Sequence, residues 1–284
     1  MTDFDIQKIV ENYRESISLN LDDINSEIIK NPVISEKEIL SLFQELLSNT
    51  SYVVSERWLK KEKYLRTKYT LSVFGESFPQ DRLTLSLCVD AMVNILDDFY
   101  DEALTKKQKQ IYLIELLRVI SIINQNIPSL ELSVEFGKYF DKLITLAVCE
   151  NFNLKQMKEN LNDDFVISTG ASLLLTRAYD MDIFVQIAES NNSHNTLLME
   201  FRLLRALSIL KKDILDLKRD IETDQESIVT FVFQSNLATQ KILIDISNKI
   251  LTNKLLKINN IPNKLSDMIN NEANEIISLA KQIK

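Results

Sequence analysis

With 284 residues, 26% charged side chains and a formal net charge of −8, the chain lacks the clustered excess of Lys and Arg that binding to a phosphate backbone requires, which excludes nucleic acid as an expected partner. Three glycines, four prolines and 45% hydrophobic residues starve it of hairpin turns, and no Pro-, Gly- or Ser-rich linker divides it, so one all-α domain over 1–284 is expected. No apolar run approaches the roughly 18 residues needed to span a bilayer, and Met1 to Gln7 carries acids rather than a basic leader; a cytoplasmic protein with no integral membrane segment is predicted.

In chain order, apolar spacing of three and four predicts helices over 5–30, 35–48, 55–71, 80–102, 105–125, 130–150, 154–162, 165–190, 195–233, 236–257 and 263–282. Ser35-x-x-Glu38 after Pro32, Thr105-x-x-Gln108 and Asn153-x-x-Gln156 read as N-terminal caps. Trp58 and the run Lys60-Lys61-Glu62-Lys63 read as an amphipathic helix with a solvated face. Cys88 and Cys149 lie inside apolar patterns and read as reduced packing residues without a chemical role. Gly170 sits within a predicted helix, where it costs about 1 kcal/mol against alanine, and marks a close helix contact or, less simply, a break.

The single histidine, His194, lies in the polar stretch Ser190 to Thr196. One imidazole leaves little room for Ser-His-Asp or Cys-His catalysis, His-ligated zinc, or a di-iron bundle. Any metal would therefore take oxygen ligands, which points to magnesium, manganese or calcium.

Two segments carry unusual acidic spacing. In Asn94-Ile95-Leu96-Asp97-Asp98-Phe99-Tyr100-Asp101-Glu102, four acids crowd the end of an otherwise apolar helix. Asp97 stacks on Asp101 and Asp98 on Glu102, a like-charge register costing roughly 0.2–0.5 kcal/mol a pair, at the helix end where the dipole is already negative. In the second segment, Asp213, Asp216, Asp220 and Asp224 fall within roughly an 80° arc at about 100° per residue. Leu210, Ile214, Leu217 and Ile221 flank that stripe, while Lys211, Lys218, Arg219 and Glu222 project to its far side. An Asp- and Lys-rich helix is ordinarily a solvated face held by opposite-charge pairs. Here the four-residue register is filled with like charge, and two such stripes favour a shared divalent-metal site.

These residues resemble the class I isoprenoid (terpenoid) synthase superfamily. Asp97-Asp98-x-x-Asp101 matches its first Asp-Asp-x-x-Asp motif in full. Asp216-x-x-x-Asp220-x-x-x-Asp224 has the spacing of the second metal motif of terpene cyclases, with aspartates at the last two positions, and is similar to the Asn-x-x-x-Asp-x-x-x-Asp segment of squalene and phytoene synthases. Lys212-Asp213-Ile214-Leu215-Asp216 is also similar to the second motif of trans-polyprenyl synthases, with lysine for the first aspartate. Arg177-Ala178-Tyr179-Asp180 resembles the diphosphate-sensing Arg and linker Asp of bacterial terpene cyclases. No Arg-Arg-Gly follows Asp101, no Phe-Gln pair precedes Lys212 and no terminal Arg-Tyr pair is found, which disfavours the chain-elongating pattern and departs from many cyclases.

The resemblance implies an antiparallel helical bundle around a central cavity. It implies roughly three Mg²⁺ ions, or Mn²⁺, held by Asp97, Asp98, Asp101, Asp213, Asp216, Asp220 and Asp224 and acting as Lewis acids on a leaving diphosphate. Arg177, Arg66 and Arg202 are the nominated diphosphate ligands, and Phe74, Phe99, Tyr179 and Phe184 the aromatic faces for a carbocation. The implied activity is a terpene synthase acting on a prenyl diphosphate, with a prenyltransferase joining two isoprenoid units as the alternative. A non-catalytic helical binding protein with a degenerate site is the third reading. Homodimers are common in the superfamily, so a second copy is among the partners the resemblance allows.

Overall fold

The computed structural model describes residues 64–101, 104–128, 130–189, 197–235, 237–252 and 262–283. The expected helices over 5–30 and 35–48, the Ser35 cap, the Trp58 segment and the loop around His194 lie outside the described residues. The chain is all-α: among the described residues every regular element is helical, as α1 (Leu65–Phe74), α2 (Leu83–Asp101), α3 (Lys106–Asn126), α4 (Leu130–Glu159), α5 (Asp163–Arg177), α6 (Asp182–Ala188), α7 (Leu198–Glu222), α8 (Ile228–Gln234), α9 (Thr239–Thr252) and α10 (Asn263–Ala280). None of the described helices is long and apolar enough to cross a membrane. Two compact units emerge from the packing, Met1–Ser133 with Gln186–Ser190, and Val134–Val185 with Asn191–Lys284.

In the first unit α2 packs against α1 and α3. Every residue from Leu83 to Met92 is buried, the polar Thr84, Ser86 and Asp90 included, with Cys88 a free thiol among them. Tyr112, Val119, Ile122 and Ile123 line the buried side of α3. Thr105 and Gln108 form the capping box expected from the sequence, each satisfying the other's backbone N–H. The first turn of α1 has no side-chain cap of its own from Tyr64. Instead Asp90 of α2 accepts the Thr67 N–H at 2.8 Å and pairs with Arg66 at 3.0 Å, so a carboxylate from a neighbouring helix meets the positive end of α1. Arg82 donates to the Ile187 and Glu189 carbonyls, satisfying acceptors at the C-terminal end of α6.

In the second unit α7 is the central element, packed against α5, α8, α9 and α10. Its buried stripe of Phe201, Leu203, Leu204, Leu207, Leu210, Ile214 and Leu217 recurs at three- and four-residue steps, which makes one face of the helix core. Gly170 marks a close contact: a Cβ there would come within 3.0 Å of Ile246 on α9 and 3.1 Å of Ile228 on α8.

Three expected boundaries differ. The helices read over 130–150 and 154–162 are one, α4, because nothing near Asn153 costs the helix more than a few tenths of a kcal/mol and tertiary packing carries it through. The segment read as 165–190 divides at a 3₁₀ turn, Ala178–Met181, between α5 and α6. The segment read as 195–233 stops at Glu222, and a Ser227–Thr230 capping box starts α8.

Candidate functional site

Asp97-Asp98-x-x-Asp101 is entirely helical and forms the last turns of α2. Asp97 is exposed and Asp98 buried, and the side chain of Asp101 and the whole of Glu102 lie outside what is described. Asn94, one turn earlier, is buried and donates to the Asp90 carbonyl at 2.7 Å. The acids thus sit at the carbonyl end of their helix, where the dipole offers them no stabilisation and a cation would be favoured.

The second segment occupies the C-terminal half of α7. Asp213 is buried and receives Arg177 Nη1 at 3.2 Å. Asp220 is buried and Asp216 half-buried, bordering Ile214 and Leu217 as expected, whereas Ile221 is exposed. Lys218 faces Glu222 on the far side, and Lys211 reaches Glu272 and Glu275 of α10 at 2.8 and 3.0 Å.

Arg219 departs from the sequence reading. Its Nη2 lies 2.9 Å from Asp216 Oδ2 and 3.0 Å from Asp220 Oδ1, so one nitrogen bridges two carboxylates of the stripe. The Cα direction of residue 219 points away from the stripe, but the long side chain folds back along the helix surface. Burial would lower its pKa, and Asp220 and Asp216 more than reverse that, holding the guanidinium above its ordinary value. The expectation that the basic residues stay clear of the stripe is corrected on this point.

Asp224 is not on the helix. Glu222 is the last helical residue, and Asp224 adopts φ 54°, the left-handed conformation that usually favours glycine. Gln225 N–H reaches back to the Asp220 carbonyl at 2.8 Å, and Asp224 N–H to Ile221 at 3.4 Å, the paired bonds of a Schellman ending. The stripe on α7 therefore consists of Asp213, Asp216 and Asp220.

The nominated arginines all have carboxylate partners. Arg66 is buried against Asp90. Arg177 pairs with Asp213. Arg202 grips Asp182 through Nε at 2.7 Å and Nη2 at 2.6 Å while stacking 4.1 Å from the Tyr179 ring centroid. Lys142 adds a bond to Asp182 at 2.9 Å and lies 5.4 Å from the same ring. One turn further along α7, Arg205 holds Asp180 through Nε and Nη2. Arg202, Arg205, Asp180 and Asp182 thus clasp the 3₁₀ turn between α5 and α6 onto α7; the sequence reading named Arg202 and Asp180 in other roles and missed Arg205 and Asp182, although Asp-x-Asp and Arg-x-x-Arg were visible signs.

Of the aromatic candidates, Phe184 is fully buried and Tyr179 already carries two cations over its ring. Phe99 is half-buried with the Lys109 ammonium 5.9 Å from its centroid, and Phe74 is half-buried at the end of α1. A pocket of about 180 Å³ in the second unit is lined by Leu154, Lys158, Leu161, Glu226, Thr230 and Phe231 among others, and none of the candidate residues borders it.

The donor set fits a hard divalent cation in part. Asp216 and Asp220 offer oxygens from two carboxylates to one point on the α7 surface. Among the described residues no three His, Cys, Asp or Glu side chains converge on one point; the Asp101 carboxylate lies outside that set. No protein-family model, curated protein or solved structure matches the chain.

Proposed function

We propose that the protein is a class I isoprenoid synthase that ionises an allylic prenyl diphosphate and cyclises or rearranges the resulting cation. The observation that carries this reading is that Asp216 and Asp220, one helical turn apart, reach a single cationic atom at hydrogen-bond distance on the rim of an apolar helix face. Asp97-Asp98-x-x-Asp101 adds a second set of hard oxygen donors, at a helix end where the dipole disfavours negative charge. Both are the ligand class that Mg²⁺ selects.

Asp97 and Asp101 in the first unit, and separately Asp216 and Asp220 in the second, would offer oxygens to ions, and Arg177, whose side chain is partly exposed, would turn from Asp213 to the diphosphate oxygens. Bound Mg²⁺ would supply Lewis-acid stabilisation to the departing diphosphate. In the reaction the allylic carbon–oxygen bond breaks and its electron pair leaves on the diphosphate oxygen. A double bond of the same chain, or of a second isoprenoid in the alternative, then attacks the carbocation to form a carbon–carbon bond, and the new cation so formed loses a proton from an adjacent carbon, whose C–H pair becomes the product double bond.

One observation favours a second reading, a helical binding protein whose acids are structural. Asp213, Asp216 and Asp220 each have an arginine partner within the same unit, as a set of ion pairs serving only the fold would. Purified protein incubated with Mg²⁺ and geranyl, farnesyl or geranylgeranyl diphosphate, each alone and with isopentenyl diphosphate, separates these cases. Diphosphate release with a single substrate supports the cyclase, and a product mass summing two units supports the prenyltransferase. No release in any incubation, with no rise in thermal midpoint on adding Mg²⁺ and pyrophosphate, would sink the enzymatic reading.

A further inference from the structure

We propose that the packed pair α2 and α3 in the first unit holds a buried site for a small oxyanion of the class of inorganic phosphate or sulfate. It is built on the guanidinium of Arg118, with the Thr84 hydroxyl and the Cys88 thiol as further donors. The inference is independent of the acidic segments and of any metal.

Arg118 lies on α3 and is only 6% exposed. Its Nε is sealed from solvent and meets no acceptor among the described residues. The other described arginines are all answered: Arg66, Arg177, Arg202, Arg205 and Arg219 by carboxylates, and Arg82 by two backbone carbonyls. Glu115, one turn earlier on α3 and also buried, has a partner of its own, and no ion pair joins it to Arg118. A guanidinium cannot shed its proton inside a protein, so burying it without an acceptor costs more than burying a neutral group.

Two more donors belong to the same interior. Burial pushes the Cys88 thiol well up, and Arg118 pulls it the other way, which places the guanidinium within electrostatic reach of the sulfur. Cys88 therefore keeps its proton and donates, instead of pairing with Arg118 as a thiolate. Thr84 precedes Cys88 by four residues on α2, so the two share a face, and Thr84 Oγ1 is buried with no partner among the described residues. Three donors gathered in a dry interior call for a partner that only accepts. A tetrahedral oxyanion presents several acceptor oxygens, two of which match the planar fork of an arginine. Cys88 stands ten residues before Asp98, about 15 Å of helix rise, so this site is separate from the first acidic segment.

The test is equilibrium dialysis of the full chain against radiolabelled inorganic phosphate, without Mg²⁺ and at constant ionic strength, with thermal midpoints recorded in the same buffers. Wild type should take up a single phosphate per chain, and its midpoint should rise by about 5 °C at a hundredfold excess over Kd. Sulfate should compete for the site and chloride should not, while pyrophosphate should compete poorly at so enclosed a guanidinium. Arg118→Met keeps the length of the side chain and removes its charge. It should lose the uptake and melt no lower than wild type in phosphate-free buffer, since no charge is then stranded. Thr84→Val, nearly the same shape without the hydroxyl, should weaken uptake about five- to tenfold. No uptake by wild type, uptake that Arg118→Met retains, or chloride competing as well as sulfate each overturns the site. Pyrophosphate competing as well as sulfate overturns its assignment to a small free anion. Should Arg118→Met prove unstable, unchanged uptake in Thr84→Val overturns the donor set.

Discussion

Arg66 of α1 donates to Asp90 of α2 at 3.0 Å, and the carboxylate that receives it is fully shielded from solvent. The same carboxylate accepts the Thr67 N–H, so Asp90 serves as ion-pair partner to one residue and helix cap to the next. Thr67 in turn shares a hydrogen bond with Ser86 at 3.0 Å, which extends the polar seam between the two helices. Removing one member of such a buried pair leaves the other charge without adequate compensation.

Asp90→Ala is accordingly expected to destabilise the protein by roughly 3–5 kcal/mol, measured by urea unfolding with a check that the slope is unchanged. The double variant Arg66→Met/Asp90→Asn, which removes the stranded charge and keeps an acceptor for Thr67, should recover more than half of that loss. A double variant as unstable as Asp90→Ala would show that the pair is not what holds α1 to α2.

Arg202 is the centre of the clasp on the 3₁₀ turn, with two charge-assisted bonds to Asp182 and a stack on Tyr179. Arg202→Ala should cost about 2–4 kcal/mol, because a charged hydrogen-bond partner and a stacked face are lost together. Tyr179→Phe keeps the ring and should lie within about 0.5 kcal/mol of wild type. If thermal unfolding finds Arg202→Ala as stable as wild type, the clasp is ornamental.

Asp224, at φ 54°, occupies the position at which helices most often end on glycine. Asp224→Gly is expected to raise stability by about 0.5–1 kcal/mol and Asp224→Val to lower it by at least about 1 kcal/mol, since a β-branched side chain tolerates this conformation poorly. The order Gly, Asp, Val in thermal midpoint is the result to look for. The same Gly variant asks whether the Asp224 carboxylate contributes to Mg²⁺-dependent diphosphate release, because its loss there cannot be blamed on an unfolded chain.

Asp220→Asn separates folding from chemistry. The arginine it would leave is more than half exposed and keeps Asp216, so the stability change should stay below about 1 kcal/mol. Diphosphate release should nonetheless fall by about a hundredfold if Asp220 holds an ion that stabilises the leaving group. A variant that melts like wild type and turns over like wild type removes Asp220 from the proposed machinery.

Much of the helical content is legible in the amino-acid sequence, because a helix announces itself through contacts three and four residues apart. Thr105 and Gln108 find each other within a single turn, and Asp213, Asp216 and Asp220 share one face over about two turns, as helical geometry dictates. The start of α10 at Asn263 is equally local, a proline just before the helix, whereas a glycine inside α5 signals only that Gly170 has a close neighbour and not that Ile228 and Ile246 supply it.

What the tertiary structure decided was where helices stop and which charge answers which. The division of α5 from α6 depends on Arg202 and Arg205 drawing Asp182 and Asp180 onto another helix, partners 20 and 25 residues away in sequence. The pairing of Arg177 with Asp213 spans 36 residues, and Asp90 caps a helix that begins 25 positions earlier, at Leu65. Periodicity carries no information about such partners, since a carboxylate on a helix face looks the same in sequence whether an arginine, a metal ion or water neutralises it. The chain's own spacing thus determined the helices and the acidic face, and only packing in three dimensions assigned each acid its partner.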